Sequence, residues 1–168
     1  MAAALLLLLG CQSPMTDRAV VLSGDISADE SRAKLALARV NEFAKGSAVI
    51  VVDPSDQPAA WSWSDGTICI TGGFVRRIDD AELRAVIAHE LAHLRVADGE
   101  HSTPHAFRGT SLAVEEDADA VAVRLLKSIG LAKDSLIRSL KFVRDWPQTT
   151  CDVKDMLNAR IDFLSRIE

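Results

Sequence analysis

The chain has 168 residues, 48% of them hydrophobic, which suits one compact domain with a buried core. A formal charge of −5 without a long basic run argues against electrostatic binding to nucleic acid. No apolar stretch reaches the roughly 18 residues that a membrane-spanning helix needs.

In chain order, residues 1–10 form a short apolar leader, Met-Ala-Ala-Ala followed by five leucines and Gly10. Leu8-Leu9-Gly10-Cys11 resembles the cleavage box of a bacterial lipoprotein signal, which implies a lipidated Cys11 as the mature N-terminus. That reading places the protein in the cell envelope, anchored on the periplasmic face, and Gln12 favours the outer membrane. The leader lacks a Lys or Arg near Met1, and translation from Met15 would instead give a cytosolic protein. If Cys11 carries lipid, Cys69 and Cys151 remain. An extracytoplasmic compartment permits a disulfide between them, and two separate small buried residues are the alternative.

Residues 11–26 read as a linker, and residues 27–168 as a single domain. Ser27 with Glu30 forms a capping-box pattern that predicts a helix to about Ala44, ended by Lys45-Gly46. Ala48 to Val52 predicts a strand. Ala59–Trp63 and Thr67–Thr71 flank Ser64-Asp65-Gly66 and predict a hairpin, with Trp61 and Trp63 on one strand face. Asp79 with Glu82 opens a helix from Asp80 to Val96, whose apolar stripe is Leu83, Val86, Ile87, Leu91 and Leu94. A polar loop is expected at 98–110. Helices follow at about 112–129 (capped by Ser111, stopped near Gly130), 133–144 and 153–166. The fold class is therefore α+β: a mainly helical domain with a small sheet or hairpin beside one central helix.

That central helix carries His89-Glu90-Leu91-Ala92-His93. Residues four apart share a helix face, so two imidazoles can reach one metal ion. Glu90, the next residue, can take a proton from a water on that ion. This is the zinc-hydrolase arrangement, with one Zn2+ per chain. Two surface histidines matching by chance is the plain alternative; against it, all four histidines (His89, His93, His101, His105) lie in one short segment. Glu115 can complete a His, His, Glu set, and Asp119, one turn on, can accept the other N–H of a ligand histidine. An acidic first turn favoured by the helix dipole would explain residues 115–117 but not Asp119, which leads into an apolar run.

Gly73-Phe74, the run Asp79-Asp80-Ala81-Glu82-Leu83-Arg84-Ala85-Val86-Ile87-Ala88 into the motif, and Glu115-x-x-Ala118-Asp119 together resemble the HtpX-like gluzincin metallopeptidases over about residues 47–130. The resemblance implies a zincin-type zinc endopeptidase with His89, His93 and Glu115 as ligands, Glu90 as general base and a protein or peptide substrate. His89 to Arg95 also resembles the BlaR-type membrane metallopeptidases. The chain departs from the HtpX-like pattern in two places. Only 21 residues (94–114) separate His93 from Glu115, and the His-Pro pair near the C-terminal helix is missing, with only Arg160 in place of the arginine that follows it. In this family a strand beside the active-site helix pairs with the substrate backbone, and Ala59–Trp63 is the candidate here.

The chain has no tyrosine, so the oxyanion donor must be another group. His101, His105, Arg108 and Arg160 are available, and His105 comes first because its loop joins the two ligand helices. Two rival readings stand beside this one. A SprT-like metalloprotease would use His101 or His105 as third ligand. A zinc-stabilised binding or chaperone lipoprotein would not need Glu90 as a base. A metzincin is excluded by Gly99, which stands where its third histidine would be.

Overall fold

A computed structural model describes residues 2–3, 24–44, 47–99 and 111–168. Six helices and four strands follow in the order β1 (Ala2–Ala3), α1 (Gly24–Ala44), β2 (Val49–Asp53), β3 (Ala60–Trp63), β4 (Thr67–Thr71), α2 (Gly72–Arg77), α3 (Asp80–Gly99), α4 (Leu112–Ser128), α5 (Asp134–Arg144) and α6 (Cys151–Arg166). The α+β class read from the sequence holds: a helical body carries one small sheet.

The sheet has the order β1-β3-β4-β2. β3 and β4 form the expected antiparallel hairpin, turning at Gly66 with φ 88°, a left-handed conformation that glycine adopts without a Cβ clash. β2 runs parallel to β4 on its other side, and Ala2–Ala3 pair antiparallel with Ser62 and Trp63. Alternation along the strands gives the sheet an inner face of Ile50, Val52, Ala60, Ser62, Ile68 and Ile70. The outer face carries Val49, Val51 and Trp63 exposed, with Trp61 half-buried. The two tryptophans do share a face, as expected, and it is the face turned away from the helices.

α3 is the central element and packs against α1, α4, α5, β3 and β4. Its start is fixed by a reciprocal cap: the Glu82 N–H donates to Asp79 Oδ1 at 2.7 Å and the Asp79 N–H to Glu82 Oε2 at 2.9 Å. The same two carboxylates receive Arg138 of α5, at 3.3 and 3.0 Å, which ties α5 to the head of α3. From the other side Arg32 of α1 donates to the Val75 and Ile78 carbonyls and pairs with Asp80. α1 buries Ala33, Ala36, Leu37 and Val40, a stripe at helical spacing.

Two differences from the sequence reading have local causes. α1 begins at Gly24 instead of Ser27, so the last residues of the expected linker are helical; no proline or further glycine stands between residues 25 and 44 to prevent it. α2 was not expected, because Gly72-Gly73 reads as a chain break. Thr71 caps it by accepting from the Phe74 N–H at 3.3 Å. Gly73 is required where it stands: a Cβ there would lie 2.1 Å from the Asp56 carbonyl oxygen.

Candidate metal centre

The two histidines of α3 and the head of α4 meet in the interior. Ser111 caps α4, accepting from the Val114 N–H at 3.4 Å, and this sets the register that turns Glu115 and Asp119 inward, one turn apart. His89 Nε2 lies 3.0 Å from His93 Nε2 and 3.3 Å from Glu115 Oε2, and His93 Nε2 lies 3.7 Å from Glu115 Oε1. Three donor atoms on a tetrahedral ion with bonds of about 2.05 Å stand roughly 3.3 Å apart. The observed separations bracket that value, so the donor set fits one divalent ion. His89, His93 and Glu115 form the one metal-capable cluster of this kind among the described residues.

Asp119 lies beside His89. Its Oδ1 lies 2.9 Å from His89 Nδ1, which leaves Nε2 turned to the Glu115 side. Arg160 of α6 closes the back. Its Nε and Nη2 donate to the two Asp119 oxygens at 2.8 and 2.7 Å, its Nη1 lies 3.0 Å from Glu115 Oε2, and Nη2 lies 3.3 Å from both His89 ring nitrogens. His89, Glu90, Glu115, Asp119 and Arg160 are all essentially without solvent exposure.

The charges follow from this closure. Burial and Arg160 oppose a charged His89, but Asp119 and Glu115 outweigh them and push the imidazole up to about 9. Burial also opposes the Glu115 carboxylate, yet His89, His93 and Arg160 hold it well below the usual range. Asp119 is likewise depressed, with Arg160 overcoming burial. Glu90 goes the other way: burial raises it, against the neighbouring histidines. Neither Glu90 oxygen, nor either Glu115 oxygen, is in an aligned hydrogen bond among the described residues. Glu115 keeps Arg160 and the imidazoles within ion-pairing distance, whereas Glu90 is a buried carboxylate without an aligned partner, a rare arrangement that a water on a bound cation would satisfy.

Some sequence expectations change here. Arg160, a candidate oxyanion donor, is instead fully engaged with Asp119 and Glu115 behind the histidines. His105, with His101 and Arg108, lies outside the described residues, as do Cys11 and residues 100–110 of the loop expected at 98–110, whose first two residues instead belong to α3. Cys69 and Cys151 are free thiols and not a disulfide. Cys69 stands on β4, which packs with its sheet neighbours and α3, while Cys151 opens α6, which packs on α4 and α5. The sequence reading also passed over Ser62, buried on β3 beside α3; the Trp-Ser-Trp alternation, which turns it inward, was its only signal.

Two imidazoles and a carboxylate from two helices, with a second buried carboxylate alongside, make a donor set of the metal-hydrolase kind. Residues 29–104 match the family described as Peptidase family M48. Over 53 residues the chain is 38% identical to a "Protease HtpX homolog" of Gemmatimonas aurantiaca, covering 29% of this chain and 19% of that protein. Over 40 residues it is 45% identical to one of Helicobacter pylori, covering 24% and 13%. Over 65 residues it is 34% identical to "Protease HtpX homolog 1" of Streptomyces coelicolor, covering 36% and 21%. Over these residues the chain is similar to this peptidase family and to its HtpX-like proteins. The alignments span about a fifth or less of these curated relatives.

Proposed function

We propose that this protein is a zinc-dependent endopeptidase that cleaves proteins or peptides in the bacterial cell envelope, as part of protein quality control. The observation that carries the reading is the convergence of His89, His93 and Glu115 beside the unpartnered Glu90. Zinc, when bound, supplies Lewis acidity toward a water and a peptide carbonyl. The remaining steps belong to the chain. His89, His93 and Glu115 hold the ion, while Asp119 and Arg160 keep His89 and Glu115 in orientation. Glu90, whose carboxyl is raised by burial, takes the proton of the attacking water and passes it to the leaving amine.

β3 is the candidate strand for the substrate backbone. Ala2 and Ala3 already lie along it in antiparallel pairing, which supports an edge able to accept an extended chain. The place of Glu115 favours a glutamate third ligand over His101 or His105, and so favours the gluzincin reading over the SprT-like one. His105 remains the proposed oxyanion donor, and the leader supports a lipid anchor at Cys11 with a periplasmic location. The test is Glu90→Gln in zinc-loaded protein. Zinc content should stay at one per chain while cleavage of casein, chelator-sensitive in the wild type, disappears. Wild-type protein that binds zinc without cleaving any denatured protein would favour a binding or chaperone module.

A further inference from the structure

Ser62 stands in β3 between two tryptophans that face the other way. Its side chain is fully buried, and its hydroxyl has no hydrogen-bond partner among the described residues. Buried hydroxyls are nearly always paired, because leaving one unpaired forfeits its hydration for nothing. The neighbouring inward position of the same strand is Ala60, so the packing seam itself does not require a polar atom there.

β3 packs directly on α3, the helix that carries Glu90. Glu90 is equally buried, and both of its oxygens lack a partner. The Ser62 hydroxyl is also among the groups that favour the charged form of this carboxylate. A buried donor and a buried acceptor, neither in an aligned hydrogen bond, thus stand on two elements packed directly together. We infer that Ser62 is the positioning residue for Glu90: its hydroxyl donates to one carboxylate oxygen and holds the side chain in the rotamer that turns the other oxygen toward the ion site. The inference rests on Glu90 being the base. A glutamate has three side-chain torsions, and a base free to wander among rotamers spends little time in line with its proton. Because Ser62 belongs to the strand proposed to hold the substrate, the same bond sets the base in register with the scissile peptide.

The experiment uses the full chain and the variants Ser62→Ala, Ser62→Thr, Glu90→Ala and the double variant Ser62→Ala/Glu90→Ala. In the zinc-loaded protein, Ser62→Ala should keep one zinc per chain and an unchanged KM on a fluorogenic peptide, with kcat lowered about tenfold. Ser62→Thr, which restores a hydroxyl on a residue suited to strands, should recover most of kcat. In the metal-free protein, Ser62→Ala should shift the thermal midpoint in the wild-type background and leave it unmoved in the Glu90→Ala background. A wild-type kcat in Ser62→Ala, or additive midpoint shifts in the double variant, overturns the inference. The midpoint cycle needs no activity, so it decides the Ser62–Glu90 pairing even if the peptidase reading fails.

Discussion

Arg160 grips Asp119 with two parallel hydrogen bonds, Nε to Oδ2 at 2.8 Å and Nη2 to Oδ1 at 2.7 Å, and neither side chain reaches solvent. The residues are 41 apart in sequence and join α4 to α6. Such a pair adds little net stability over an apolar substitute, but removing one partner leaves a bare buried charge. Arg160→Ala should therefore destabilise the metal-free protein by about 3–5 kcal/mol, measured by urea unfolding. Arg160→Lys should rescue only part, because a lysine cannot make the two-pronged contact. An unchanged unfolding midpoint in Arg160→Ala would mean that the pair is open in solution.

Asp119 also fixes the ring of His89 through Nδ1, so Asp119→Asn should weaken zinc binding without deleting a ligand. Losses of this kind run at about 10- to 100-fold in affinity. Glu115→Ala should go further and lose stoichiometric zinc, since it removes one of three donors. Competition with a chromogenic zinc chelator separates the two. Retention of tight zinc in Glu115→Ala would move the third ligand to His101 or His105.

Protonation should oppose the metal. In the metal-free protein His89 is pushed up to about 9 from 6.5, so at neutral pH it holds a proton that zinc must displace. Zinc affinity should rise as pH climbs from 7 toward 9, with proton release visible as a buffer-dependent heat in calorimetry. Folding stability of the metal-free protein runs in the opposite sense. A raised histidine contributes fully below its unfolded value near 6.5, and that contribution is lost as pH rises through about 9. Asp119 and Glu115 are depressed, so their contribution is present above their ordinary values and lost as pH falls below them. The metal-free thermal midpoint should fall on both sides, and a midpoint rising from pH 7 to 9 would contradict the assignment.

The parts of this site that were legible in the sequence are those coded locally. The Asp79–Glu82 cap and the apolar stripe gave α3; Ser111 and the left-handed Gly130, at φ 77°, bounded α4. Within those helices the four-residue spacings of His89 with His93 and of Glu115 with Asp119 carried the ligand geometry. What stayed hidden depends on contacts between distant segments. Arg160 was read as a free donor because nothing near it in α6 shows that α4 lies against it. The Cys69–Cys151 pairing was open because cysteine spacing says nothing about which elements pack together. α2 was missed because two glycines argue against a helix unless one knows what crosses them.

That crossing makes the last prediction. The Gly73 N–H donates to the Ser55 carbonyl at 2.9 Å, and the Asp56 backbone passes so close that a Cβ on residue 73 would stand 2.1 Å from the Asp56 oxygen. Backbone cannot swing aside as a flexible side chain can. Arg76 and Arg77 of α2 also bond Asp56, so the loop 54–57 is pinned to the helix that a methyl group would push away. Gly73→Ala should therefore cost about 1–3 kcal/mol despite alanine's better helix propensity. Gly130→Ala is the control: nothing lies within 4 Å of its Cβ position, and only the left-handed φ opposes the substitution, at about 1–2 kcal/mol. The loop leads directly into β3, so Gly73→Ala should also raise KM for peptides while Gly130→Ala leaves it alone. Equal KM values for the two variants would separate the α2 contact from the substrate strand.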